Sequence, residues 1–116
     1  MCYNILFWFI MFVAINYISC TEDYRERFEM LFATRAKAID RMPGFRNMQV
    51  LKPIDGIGDY LIVSHWENEE NFLNWTNSSE FIEGHKRGFA DIAQAKKEGR
   101  EAPVKSIFKT YKVLTE

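Results

Sequence analysis

The order of strand-like and helix-like segments constrains the fold of this chain more than any other sequence feature. Side chains that alternate with a period of two, rich in β-branched and aromatic residues, predict four strands. Apolar residues spaced three and four apart predict helices between the first two strands and between the last two. The predicted strands cover residues 11–19, 45–52, 60–66 and 104–114. The predicted order is therefore β-α-β-β-α-β.

This order is typical of the ferredoxin-like split βαβ arrangement, an α+β fold in which helices cover one face of a four-stranded antiparallel sheet. The first strand is apolar on both faces, since Phe12, Ala14 and Ile18 alternate with Val13, Ile15 and Tyr17. A monomer would leave one apolar sheet face exposed to water. A symmetric homodimer that pairs two sheets face to face would bury it.

The first helix is predicted to begin after Thr21, whose side chain is a favoured N-cap, and to end near Met42. Pro43-Gly44 cannot continue a helix. Its apolar stripe comprises Tyr24, Phe28, Leu31, Phe32, Ala36 and Ile39.

Length and charge exclude several classes of protein. A chain of 116 residues fits one domain, and its 15 basic and 16 acidic residues form no basic stripe, which argues against nucleic-acid binding.

Cys2 and Cys20 have no Cys or His partner at zinc-binding spacing. Two reduced, free thiols in a cytoplasmic protein are therefore expected.

The first twenty residues are apolar enough to resemble a membrane helix or a signal peptide. They contain no Lys or Arg, and Asn4 and Asn16 interrupt the run, so neither reading fits well. A regular domain begins directly at Met11. We expect residues 1–10 to be an extension and residues 11–116 to be the domain, with an anchored or exported protein as the alternative.

Residues 72–89 are predicted to form two short helices with a break between them. Trp75 closes the first, and Asn77, Ser78 or Ser79 caps the second. Glu80 follows Asn77 by three residues, as in a capping box. The polar residues 90–103 predict the end of the helix and a mobile loop.

Two polar residues fall on apolar faces of these elements. His85 shares a helix face with Phe81, Ile82 and Phe89, where an imidazole is either a metal ligand in an apolar pocket or an ordinary core histidine. Asn16 lies in the middle of an apolar strand face, and a buried amide costs free energy unless it is paired. A ligand is one such partner.

The run from Trp66 to Trp75, followed by Ser79, Phe81 and His85, resembles the antibiotic-biosynthesis-monooxygenase superfamily of dimeric α+β barrels. Within it, the IsdG-type haem-degrading monooxygenases carry an Asn in the first strand, a Trp that closes the helix after the third strand, and a His ten residues later. Asn16, Trp75 and His85 stand at matching positions.

This resemblance implies haem bound between the helices and the sheet, with His85 as the axial iron ligand and Phe81 beside the cofactor. It implies that Asn16 donates a hydrogen bond on the oxygen-binding side and that Trp75 presses on the macrocycle. O2 and an unidentified external reductase would be needed, and iron and an open-chain tetrapyrrole would be the products. The propionates would meet Lys86, Arg87 and either Lys96 or Lys97, and an ordinary solvated side chain is the alternative for each of these four residues.

The sequence is also compatible with two other functions. One is a cofactor-independent oxygenase that acts on a quinol or small aromatic, with His85 or His65 as the base and Trp75 as a wall. The other is a haem carrier without turnover.

Overall fold

The structure is a computed structural model that describes residues 11–116. Within this range four strands form one antiparallel sheet in the order β2-β3-β1-β4, and all three α-helices follow the predicted split βαβ order. The strands are β1 (Phe12–Cys20), β2 (Phe45–Leu51), β3 (Tyr60–Trp66) and β4 (Val104–Lys112), and the helices are α1 (Arg25–Ala33), α2 (Glu69–Thr76) and α3 (Ser79–Lys97). The predicted fold class is confirmed.

Cross-strand register assigns every sheet residue to one of two faces. Asn16 of β1 lies opposite Ile62 and Phe108, and Ala14 lies opposite Ser64. These rows form the inner face, which the helices cover. Residues between these rows, which include Ile15, point to the outer side of the sheet.

The inner face packs in two clusters. One is built around Trp66, which is wholly buried, and also contains Phe12, Phe72 and Trp75. The second joins Ile18, Phe28 and Tyr60 beneath α1. The space between the sheet and the helices, where the two clusters meet, is where the candidate site lies.

The prediction of one helix from Thr21 to Met42 was wrong. A 3-10 turn (Glu22–Tyr24) leads into α1, which ends at Ala33, and a second 3-10 turn follows at Ala38–Arg41. Thr21 precedes the first turn but makes no side-chain capping bond. The guanidinium of Arg87 donates to the backbone oxygens of Leu31 and Thr34, which satisfies two of the carbonyls at the helix end.

The second helical region was only partly predicted. The break before α3 is confirmed, and Ser78 is the N-cap, accepting a bond from the Phe81 amide at 3.1 Å. The proposed capping box is wrong, because Glu80 accepts a bond from the Ser79 hydroxyl instead. The predicted loop over residues 90–103 is also wrong in its first half, since α3 continues to Lys97. Ile82, placed in the apolar stripe, is 58% exposed.

Two predictions depend on residues outside the described range. The extension over residues 1–10 and the thiol of Cys2 lie there, so both stay predictions, as does the division into extension and domain. Cys20, at the end of β1, forms no disulfide with any residue of the range 11–116. None of the helices in residues 11–116 is long and apolar enough to cross a membrane.

Gly44 makes the turn into β2 possible. Its φ of +78° is a left-handed conformation that costs other residues about 1–2 kcal/mol, and a Cβ there would collide with the side chain of Asn71. We expect Gly44→Ala to lower the free energy of unfolding by more than this cost, measured by urea denaturation. Gly56 is the matched control, because its φ is +76° and nothing lies within 4 Å of its Cβ position. Equal losses in the two variants would contradict the role of the collision.

Candidate functional site

A cavity of about 310 Å³ lies between the inner face of the sheet and the helices. Asn16 from β1, Trp75 from α2 and His85 from α3 all line it, so the structure brings together the three residues that the sequence singled out. The segment between α1 and β2 closes another side, through Arg35 to Ile39. Ligand pockets of this kind are concave and mostly apolar, with a few polar groups that fix orientation.

His85 has one ring nitrogen occupied by its own helix. Its Nδ1 lies 2.7 Å from the backbone oxygen of Phe81, one turn earlier. A carbonyl oxygen only accepts, so Nδ1 must carry the proton and donate it. In the neutral imidazole, which is the form that binds metal ions, this bond leaves the lone pair on Nε2.

Aromatic rings surround the imidazole. The Phe81 ring lies 4.1 Å from it, the Phe89 ring 5.2 Å and the Trp75 ring 6.1 Å, between centroids. Phe81 and Phe89 precede and follow His85 by four residues, so the helical spacing itself brings them into contact. They restrict the rotamers of the imidazole.

Trp75 is a rigid wall of the cavity. Only 6% of its surface is exposed, and its indole stacks on Trp66 at 6.5 Å with an interplanar angle of 29°. The Phe81 ring meets it edge-on at 5.3 Å. The Ser78 hydroxyl donates to the backbone carbonyl of Trp75 at 2.6 Å, at the break that follows α2.

Asn16 has an unsatisfied polar atom. Its Oδ1 is buried and finds no hydrogen-bond partner in the described part of the chain. Leaving such a group unpaired costs about 1–3 kcal/mol, so a donor from a ligand or an ordered water is expected to occupy this position.

A second cavity of about 180 Å³ adjoins the first, beneath α1 and α3. Asn16, Arg35 and His85 line both cavities, so they lie at the boundary between the two. Its other walls include Phe28, Phe89 and further apolar side chains.

The predicted basic residues lie at different places. Lys86 is exposed and lines neither cavity, and Lys96 and Lys97 are exposed at the end of α3. Arg87 lines the second cavity, but its guanidinium is bonded to α1 and to the Thr34 hydroxyl.

His65 lies on the other side of the sheet from the cavity. In the register it pairs with Val13 on the outer face, and it lines neither cavity. Strand alternation therefore excludes it as a base for a ligand bound beside Trp75.

Arg35, Ser64 and Gly84 are among the lining residues that were not predicted from the sequence. Arg35 follows the unpredicted end of α1, and its guanidinium pairs with Asp40 at 3.0 Å. The alternation of β3 identifies Ser64 as an inner-face residue, which was the available signal. For Arg35 and Gly84 the sequence carries no comparable signal.

A polar clamp holds α1 against α3 beside the second cavity. The Tyr24 hydroxyl donates to Asp91 at 2.5 Å and Arg27 donates to the same carboxylate at 3.0 Å. Burial alone would raise the pKa of the Asp91 carboxyl, but these hydrogen bonds outweigh it and leave the pKa below its ordinary value.

This lowered pKa predicts an acid dependence of stability. The contribution of Asp91 is fully present above the pKa it has in the unfolded chain, about 3.9, and is lost as pH falls through the lower folded value. When the pH falls from 7 to 3, we expect the free energy of unfolding of the Asp91→Asn variant to decrease less than that of the unaltered protein. Urea denaturation at the two pH values measures this, with the exposed Asp23→Asn as control. Identical losses in Asp91→Asn and the unaltered protein would refute it.

Comparison with known proteins identifies relatives of the chain. A mycobilin-producing heme oxygenase of Mycobacterium tuberculosis is 40% identical over 65 residues, which are 56% of this chain and 62% of the relative. The match thus spans less than two thirds of that relative's length. A staphylobilin-producing heme oxygenase of Staphylococcus epidermidis is 35% identical over 78 residues, 66% of this chain and 74% of the relative.

A solved structure extends the likeness to nearly the whole chain. The heme-degrader MhuD from Mycobacterium tuberculosis, with two hemes bound in its active site, superposes with a TM-score of 0.65 at 29% identity. The superposition covers 90% of this chain and 97% of MhuD. The family model for antibiotic biosynthesis monooxygenases matches residues 11–87, which confirms the resemblance inferred from the sequence. The chain belongs to the antibiotic biosynthesis monooxygenase family.

Proposed function

We propose that this protein is a haem-degrading monooxygenase that binds haem as its substrate in the cavity between the sheet and the helices. The observation that carries the proposal is the convergence of Asn16, Trp75 and His85 on one cavity, with Nε2 of His85 left free by the bond at Nδ1. The relatives that are haem oxygenases support the same substrate.

The residues present fit a haem. An iron porphyrin needs one neutral imidazole, an apolar enclosure and few competing polar groups, and His85 supplies the ligand nitrogen. Trp75 and Phe81 provide flat apolar surface for the macrocycle, because both are held by packing against neighbouring rings. The buried Oδ1 of Asn16, which has no hydrogen-bond partner among residues 11–116, provides a polar group in this cavity.

Haem supplies the iron at which O2 reacts, and an external electron donor supplies the reducing equivalents. The protein's own contribution is to bind and orient the macrocycle, to exclude water and to hold a hydrogen-bonding group beside it. The products are iron and an open-chain tetrapyrrole. We keep Lys86 and Arg87 as candidate partners of the propionates and add Arg35, because it lines both cavities. A cytoplasmic location stays a prediction.

Haemin titration tests the proposal. Adding haemin to the purified protein is expected to shift the Soret band with a saturating stoichiometry. Ascorbate or a reductase with O2 should then bleach that band and release iron. A carrier would keep the band intact, and a cofactor-independent oxygenase would show no haem-dependent band at all. Either result would overturn the proposal.

We further propose that the protein is a homodimer that pairs the outer faces of two sheets. This face carries Ile15, Tyr17 and Val63, and its edge strands leave Leu51, Ile107 and Tyr111 among the large exposed apolar side chains. Burying such a patch is a common reason for symmetric association.

A charge on the β4 edge of this face should separate the protomers. Ile107 is 64% exposed, so Ile107→Asp changes a surface residue of the folded chain. We expect light scattering to give a dimer mass for the unaltered protein and a monomer mass for the variant. A monomer mass in both would show that the outer face is not an interface between copies.

A further inference from the structure

The sheet wall of the larger cavity contains two polar residues among its six lining residues. These are Asn16 and Ser64, and the other four are Ala14, Met48, Ile62 and Phe108. The inner-face rows place Ser64 beside Ala14, and Asn16 beside Ile62, so the two polar residues are diagonal neighbours on adjacent strands. Diagonal neighbours are about 7–8 Å apart, which leaves room for a small ligand between their side chains.

Trp66 fixes the orientation of Ser64. The indole N–H of Trp66 donates to the Ser64 hydroxyl oxygen at 3.0 Å. Trp66 is wholly buried and held by Phe45, Phe72 and Trp75, so this donor has a fixed position. A hydroxyl has one hydrogen to donate, and that of Ser64 has no acceptor among the hydrogen bonds of residues 11–116.

The two groups are complementary to one kind of ligand. Ser64 is 7% exposed and offers a hydrogen, whereas the buried Oδ1 of Asn16 lacks a donor. A group that accepts from one and donates to the other satisfies both, and water, a hydroxyl and a hydroperoxide are of this type. The rest of the sheet wall is apolar, so this pair fixes where such a group binds.

We propose that Ser64 is a hydrogen-bond donor to the small oxygen ligand of this site and shares that ligand with Asn16. The proposal rests on the proposed function, because it gives Ser64 a place beside the bound haem. Trp66 acts through Ser64 and is a positioning residue.

A crystal structure of the ligand-free protein at high resolution tests the pair without haem. We expect one ordered water within hydrogen-bond distance of both Ser64 Oγ and Asn16 Oδ1. The water should be lost in Ser64→Ala and kept in Ser64→Thr, which retains the hydroxyl. If the unaltered protein has no water bridging these two atoms, the proposal is overturned, whether or not the variants fold.

A second measurement uses the haem-loaded protein. Carbon monoxide on the reduced haem is the probe, because its C–O stretching frequency falls when a hydrogen-bond donor approaches. We expect Ser64→Ala to raise that frequency and Ser64→Thr to restore it, with haemin still bound in both. An unchanged frequency in Ser64→Ala would overturn the role of the hydroxyl. Failure of the unaltered protein to bind haemin would instead refute the proposed function. The presence or absence of the bridging water would still test whether Ser64 and Asn16 share a ligand.

Discussion

Replacing His85 by alanine is expected to abolish the Soret shift that haemin produces with the unaltered protein. The variant loses the nitrogen that lies in the cavity with its lone pair free, and nothing replaces it, because the other histidine described, His65, is on the outer face. Loss of an outer hydrogen bond to a metal ligand already costs about 10–100-fold in affinity, so loss of the ligand itself should cost more.

The control for this prediction is His65→Gln. It removes the same kind of side chain from the opposite face of the sheet and is expected to leave the haemin titration unchanged. Circular dichroism of both variants verifies that the fold is retained. A shifted Soret band of undiminished affinity in His85→Ala would show that His85 is a core histidine, which is the other reading of its position in the helix.

Replacing Asn16 by alanine is expected to separate binding from turnover. The amide contributes no ligand to the iron, so haemin should still bind and shift the Soret band. Turnover should fall by at least about a hundredfold, the size of effect expected when one preorganised hydrogen-bonding group is removed from an active site. The measurement is the rate at which the band bleaches with reductant and O2.

Asn47→Ala is the matched control, because Asn47 lies opposite His65 on the outer face and is exposed. Its rate of bleaching should equal that of the unaltered protein. Retained turnover in Asn16→Ala would remove Asn16 from the mechanism. Loss of haemin binding would show that the amide holds the macrocycle rather than assists the reaction.

The sheet could be predicted from the sequence because strand alternation is a local signal. The bounds predicted for β3 agree with the structure, and those of β1 differ by one residue at each end. Period two also placed Asn16 on the same strand face as Ala14 and Ile18, and the structure shows that the helices cover this face.

The helix ends could not be predicted, because tertiary contacts determine them. The apolar stripe of the first helix continues through Ala36 and Ile39, yet the chain leaves the helix after Ala33. Arg87, more than fifty residues away, binds the last carbonyls, and Lys37 adopts a left-handed conformation with φ of 58°. In α3 the opposite occurred, since residues 90–97 have good helix formers that a polar composition concealed.

Tertiary contacts also limited what could be predicted of the site. The resemblance to the family identified Asn16, Trp75 and His85 as candidate site residues. Arg35 lines the cavity from the segment that follows the early end of α1, and Ser64 accepts a hydrogen bond from Trp66, two residues along the strand. Neither effect is visible in a pattern of apolar and polar residues.

A crystal structure of the haemin complex tests the central claim most directly. We predict one macrocycle between the inner sheet face and α3, with its iron on Nε2 of His85 and the indole of Trp75 against its face. Haem held anywhere else, or iron ligated by another side chain, would contradict the account.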